Sequence, residues 1–202
     1  MFADSNNLKN FWNTDATSIS SVFHSNAISN FTDLSYLFYN CSKLTHKNSG
    51  NFLKALFTPK LIRADAIFYG NTKLTAIPDG ILSNCEALKS IGGLFGKTGI
   101  TTLPNYLCHD GSKSKTLTDL TNATGLFEDC IKLTGIISKN FFAGLNSLKY
   151  LGLRHIGEYV KDEKGNIDAS KSTCYGDGYS ILWTKGAFCN TKIEGFHKDF
   201  LK

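Results

Sequence analysis

Along this chain a small set of apolar positions recurs in fixed order while the residues between them vary. One phrase runs from a small or apolar residue, across two variable positions, to an apolar residue and Phe. It reads ISSVF to Phe23, LSYLF to Phe38, ADAIF to Phe68, IGGLF to Phe95, ATGLF to Phe127 and TKGAF to Phe188. A second phrase occurs as NTKLTAIPDGIL (residues 71–82) and NTKIEGFHKDFL (residues 190–201), where Leu74, Ile77 and Ile81 match Ile193, Phe196 and Phe200. GITTLPNYL and LTGIISKNFF carry the same spacing with small changes of length. Variable surface with constant apolar spacing predicts a repeated packing unit.

The steps from Phe38 to Phe68, Phe95 and Phe127 are 30, 27 and 32 residues. A period of roughly 20 to 50 residues marks a stack of units, each burying on its neighbours an apolar face that it cannot bury alone. The half-units here, such as FYGNTKLTAIP and LSNCEALKSI, are too short to close a turn of a leucine-rich solenoid, for which roughly 20 to 29 residues are usual. Two halves per turn are therefore expected. The predicted fold is a repeat solenoid of leucine-rich type, with short parallel strands stacked on one face and loops and short helical turns on the other. Residues 1–202 are read as a single solenoid, and the phrases cut at both ends point to a segment of a longer chain.

The phrases MFADSNNLKNF, LFYNCSKLT, IFYGNTKLTAIP, ILSNCEALKSI and LFEDCIKLTGI resemble the repeats of BspA-like leucine-rich-repeat surface proteins. The resemblance covers roughly residues 1–151 and 184–202. It implies a stacked solenoid on a bacterial, protist or virion surface, tied to adhesion and to protein or glycan binding. It implies no active site.

With 42% hydrophobic residues the chain can bury a sizeable core. No apolar run approaches the roughly 18 residues of a membrane span, so no membrane insertion is expected. No basic segment followed by an apolar stretch opens the chain as a signal peptide would. Cys41, Cys85 and Cys130 each stand three residues after Phe38, Leu82 and Phe127, a place held elsewhere by Ser5, Asn26, Asn71 and Thr98. A slot that takes Cys, Ser, Asn or Thr is small, buried and next to a turn, so free thiols are expected there.

Chemistry is sparse. GGLFGKT (residues 92–98) looks like a phosphate loop, but Ile91 stands where the first glycine is required, and the repeat explains the same residues. There is no C-x-x-C, G-x-S-x-G or H-E-x-x-H, His197 is read as a turn residue, and neither a metal, a cofactor nor an enzymatic activity is expected. The net charge is +5, carried almost wholly by lysines, since only Arg63 and Arg154 are arginines. Planar reading of bases favours Arg, so no specific nucleic-acid partner is expected, although a general attraction to anionic surfaces is. The N-x-S/T triplets at Asn30, Asn40 and Asn122 carry no functional weight.

The march breaks between Phe127 and Phe188, which are 61 residues apart. The excess is read as an inserted hairpin or loop at 154–182, turning at Gly165-Asn166. A smaller insertion lies at 109–115. Loops on a rigid scaffold are where binding residues concentrate, and Tyr and Trp give large contact area at low entropy cost. The candidate binding residues are therefore Tyr159, Lys161, Tyr175, Tyr179 and Trp183. The expected function is a non-enzymatic extracellular recognition or adhesion module for a protein or glycan on a host or neighbouring cell. It would sit at the cell surface, or on a virion if phage-encoded. The alternative is a structural repeat segment of a larger assembly, such as a virion fibre or surface layer, joined to further repeats or subunits.

Overall fold

The structure is a computed structural model, and it describes residues 2–6, 8, 30–44, 53–54, 56–108, 117–138, 140–143, 145, 147–148, 187–189 and 191–196. Its axis is a column of phenylalanine rings. Phe38, Phe68, Phe95 and Phe127 are fully buried. From Phe2 through these four to Phe188, successive ring centroids lie 5.6–6.0 Å apart with interplanar angles of 4–16°. Near-parallel rings at that separation are offset, the arrangement that the quadrupoles of aromatic rings favour.

The backbone explains why the rings line up. The N–H groups of Leu34, Tyr36, Phe38 and Asn40 donate to the carbonyls of Arg63, Asp65, Ile67 and Tyr69 in the next segment. Ala64, Ala66, Phe68 and Gly70 donate in the same way to Ser90, Gly92, Leu94 and Gly96. Ile91, Gly93, Phe95 and Lys97 continue to Asn122, Thr124, Leu126 and Glu128, and Phe127 and Asp129 to Ala187 and Cys189. The residues between these donors bond within their own segment, as Leu37, Tyr39 and Cys41 do to the carbonyls of Leu34, Tyr36 and Phe38. Alternate donors thus serve the neighbouring segment and the local turn, and a buried backbone is satisfied without long strands.

Extended strands are accordingly rare among the described residues. The segments meet at single parallel bridges, Asp33 to Arg63 to Ser90 to Asn122, and form one parallel pair, β1 (Thr134–Ile137) with β2 (Lys192–Phe196). The physical reason is a left-handed residue on each side of Phe38, Phe68, Phe95 and Phe127. Two residues before it, Tyr36, Ala66, Gly93 and Gly125 have φ of 53–66°; two residues after it, Asp4, Asn40, Gly70, Lys97 and Asp129 have φ of 51–78°. Positive φ bends the chain out of the extended region and curls it into consecutive turns.

Phe2 rests directly on Phe38. Phe23 lies outside the described residues, as do all of 109–116 and all of 154–182. The long excursion does not interrupt the column, since Phe127 and Phe188 are 5.6 Å apart across it. A second line of backbone hydrogen bonds joins the other half-units, with Leu82 N–H donating to the Leu107 carbonyl and Leu107 N–H to the Phe141 carbonyl. Leu44, Leu74, Ile100 and Leu133 fill the space between the two lines and are fully buried.

Behind each Phe lies the small slot. The Cys41 thiol donates to the Phe2 carbonyl (2.9 Å) and the Cys130 thiol to the Phe95 carbonyl (3.0 Å), each reaching back one segment. Thr98 and Thr191 instead bond their own segment's carbonyl, at Phe95 (2.8 Å) and Phe188 (2.9 Å). Asn71 is the exception, because its amide is wholly buried and neither side-chain atom has a hydrogen-bond partner. Leaving a polar group so placed costs about 1–3 kcal/mol.

Two stability measurements follow from this packing. Phe68→Ala opens a cavity between two rings and is expected to lower the free energy of unfolding by about 3–5 kcal/mol in urea or guanidinium titration. Asn71→Cys gives the slot the thiol that reaches back one segment at Cys41 and Cys130, and is expected to raise stability by roughly 1 kcal/mol or more; a loss would show that the Asn71 amide is satisfied in solution.

Candidate functional site

The residues on either side of each Phe turn away from the column and build a flank. Tyr39 and Tyr69, the residues after Phe38 and Phe68, stack on each other at 5.3 Å and 5°. In the next segment the same place is Gly96, and a Cβ there would fall 2.5 Å from the Tyr69 ring. The missing side chain lets Tyr69 lie across that whole segment and donate from its hydroxyl to the Glu128 carboxylate at 2.9 Å. Burial first, and Glu128 second, push the Tyr69 phenol well above its usual range. Lys97 caps the arrangement, with its ammonium 5.3 Å from the centre of the Tyr69 ring and 4.0 Å from Asp129.

Tyr36 completes the aromatic group, 5.7 Å from Tyr39 at 60°. Both rings are half-buried, whereas Tyr69 is almost closed off. Beside them runs a polar ladder. Asp65 is nearly buried, takes a 2.7 Å bond from Arg63, and accepts from the Ser90 hydroxyl and the Gly92 N–H. Ser90 in turn accepts from the Asn122 amide, whose oxygen accepts from the Thr124 N–H. Asn122 is thereby buried and engaged. Both buried carboxylates, Asp65 and Glu128, hold structural donors.

The flank offers an open tyrosine pair beside the Arg63 guanidinium. It places two half-buried phenol rings and an exposed guanidinium on one flank. Among the described residues no three His, Cys, Asp or Glu side chains converge as a metal site requires, and no helix is long and apolar enough to cross a membrane. The residues of GGLFGKT are absorbed by the packing: Leu94 and Phe95 are buried and Thr98 bonds the Phe95 carbonyl.

Tyr159, Lys161, Tyr175, Tyr179, Trp183 and His197 lie outside the described residues. The residues that sequence reading did not single out are Tyr36, Tyr39 and Tyr69. A signal for them exists in the aligned phrases, where the place of Tyr36 is taken by Ala66, Gly93 and Gly125, and that of Tyr69 by Gly96 and Glu128. A tyrosine in a column of glycines is out of character.

The five described cysteines, Cys41, Cys85, Cys108, Cys130 and Cys189, are free and buried. Burial raises the Cys85 and Cys108 thiols strongly and the Cys41 thiol as well. Burial likewise lifts Cys130 to about 11, with hydrogen bonds from Thr98 holding it lower than it would otherwise stand. A thiol whose folded value exceeds its unfolded one keeps the fold's full stability below the unfolded value and withdraws it as pH rises through the folded one. Stability is therefore expected to hold to about pH 9 and then fall toward pH 11, by roughly 2–3 kcal/mol for Cys130 alone. Thermal melts of the native chain and of Cys130→Thr across that range check it, the variant declining less steeply. Comparison of the chain with protein-family models, with curated proteins and with solved structures finds no match.

Proposed function

We propose that the chain is a non-enzymatic recognition module, a solenoid of leucine-rich type at a cell or virion surface that binds a protein or glycan through its side face. The observation that carries this reading is Tyr36. It holds φ at 62° where two of the equivalent residues are glycine, and it leaves a half-buried ring beside Tyr39 and Arg63. A bulky residue in the left-handed region costs about 1 kcal/mol or more and persists where something outweighs the strain. Packing against Tyr39 recovers part of that, and a partner's contact with the pair would recover the rest. Tyrosine is the residue that gives most contact for least lost freedom.

The insertion at 154–182 belongs to the same proposal, with Tyr159, Lys161, Tyr175, Tyr179 and Trp183 as its contact residues. Two changes separate the surfaces. Tyr36→Gly removes the ring and relaxes the backbone, so the melting temperature should stay within a few degrees of the parent. Deleting 154–179 removes the loop at a point where the ring column is continuous across it.

The full chain, screened against arrays of glycans and cell-surface proteins, should find a ligand whose binding falls at least tenfold in one of these two variants. Unchanged binding in both would overturn the proposal. A fixed oligomer in sedimentation, with no ligand on either array, would establish the structural-assembly alternative instead.

A further inference from the structure

Ahead of each buried Phe the segments are tied together in both directions. Ile62 and Arg63 both donate to the Thr32 carbonyl, Lys89 and Ser90 to that of Ile62, and Thr121 and Asn122 to that of Lys89. The exchange is reciprocal, because Leu34, Ala64 and Ile91 donate to the carbonyls of Arg63, Ser90 and Asn122. Beside these ties Leu61, Leu88 and Leu120 are fully buried. One four-residue pattern, an apolar residue and an aliphatic one three places on, thus docks on another copy of itself three times along the stack.

The stretch 31–34 carries the same pattern and is engaged on one side only. By its place in the series it should send the Thr32 and Asp33 N–H groups to one carbonyl and receive an N–H at the Asp33 carbonyl. Among the described residues nothing accepts from either N–H or donates to that oxygen. Residues 31–33 are exposed, and Phe31 is 42% exposed at the place where the three leucines are closed off. Two donors, an acceptor and an apolar ring therefore stand together on an open edge. Such an edge is a template for another chain.

We infer that the edge 31–34 is a docking site for a segment of a partner polypeptide with the pattern Leu, any residue, Lys or Arg, aliphatic. The apolar places repeat what the three internal ties bury. The basic place follows from Asp33, which stands in register with Arg63 on its engaged side, so that a cation in register on the open side meets the same carboxylate. The Arg63 charge is favoured first by its bond to Asp65 and also by Asp33. A polypeptide fits better than a sugar or a nucleic acid, because the open groups ask for backbone: one carbonyl that takes two N–H bonds, and one N–H beside it. The inference does not rest on the function proposed for the tyrosine flank.

The probe is a labelled synthetic peptide of residues 58–66, TPKLIRADA, blocked at both ends, which carries the pattern at 61–64. Titrated against the full chain, it should bind saturably, and amide hydrogen exchange at Thr32 and Asp33 should slow at least tenfold at saturation. Phe31→Ser is expected to weaken binding at least tenfold. Ile136→Ser, which trims another exposed apolar side chain, should change it less than twofold. Asp33→Lys should weaken the parent peptide and prefer a peptide carrying Arg63→Glu. The inference is overturned by no saturable binding up to about 1 mM peptide, by equal weakening in the two serine variants, or by unchanged exchange at the two amides. Self-association that Phe31→Ser abolishes, with no peptide bound, would overturn it as well and give the edge to a second copy of the chain.

Discussion

Everything in this fold depends on where alternate backbone N–H groups point. A left-handed residue on each side of the buried Phe makes one donor close a local turn and the next reach the neighbouring segment. The Phe at the centre of that run is then held from below by its own hydrogen bond and from the side by the rings before and after it. Outside the run the direction reverses, since Arg63, Lys89, Thr121 and Thr134 donate back toward the preceding segment. Each segment thus gives and receives on both of its faces, and no rung hangs from a single set of bonds.

The constraint explains which residues may vary. Two places after the Phe, Asp4, Asn40 and Asp129 tolerate the left-handed region because a short polar side chain suits it, Gly70 because it has none. Two places before it, glycine is the easy answer and Tyr36 the costly one. In the slot, a thiol or hydroxyl is accepted because each can donate to a nearby Phe carbonyl. Among the described occupants, Asn71 is the one whose side-chain nitrogen and oxygen find nothing to bond.

The apolar half of this was legible in the sequence, because burial forces a period. Phe38, Phe68, Phe95 and Phe127 announce their column through spacing alone, and the Cys, Thr and Asn slot follows at a constant offset. Rows of surface residues were harder, because nothing forces them to recur. The lysines read as scattered along variable positions, yet CSKL, NTKL and CIKL each place an exposed one before a buried Leu. The Tyr69–Glu128 bond, 59 residues apart, could not be read at all, since it needs Gly96 to be recognised as a gap rather than a linker.

The long excursion between Phe127 and Phe188 re-enters the column with the same ring contact that a 27-residue step achieves. Closing a loop of twice the length costs only about 0.6 kcal/mol more. That is within the effect of an ordinary surface substitution, so the stack constrains the ends of the excursion and leaves its content to drift. A chain joined in this way is held by ring contact at two points far apart in sequence, so pulling on the ends of the excursion loads the Phe127–Phe188 contact before it loads the rest of the column.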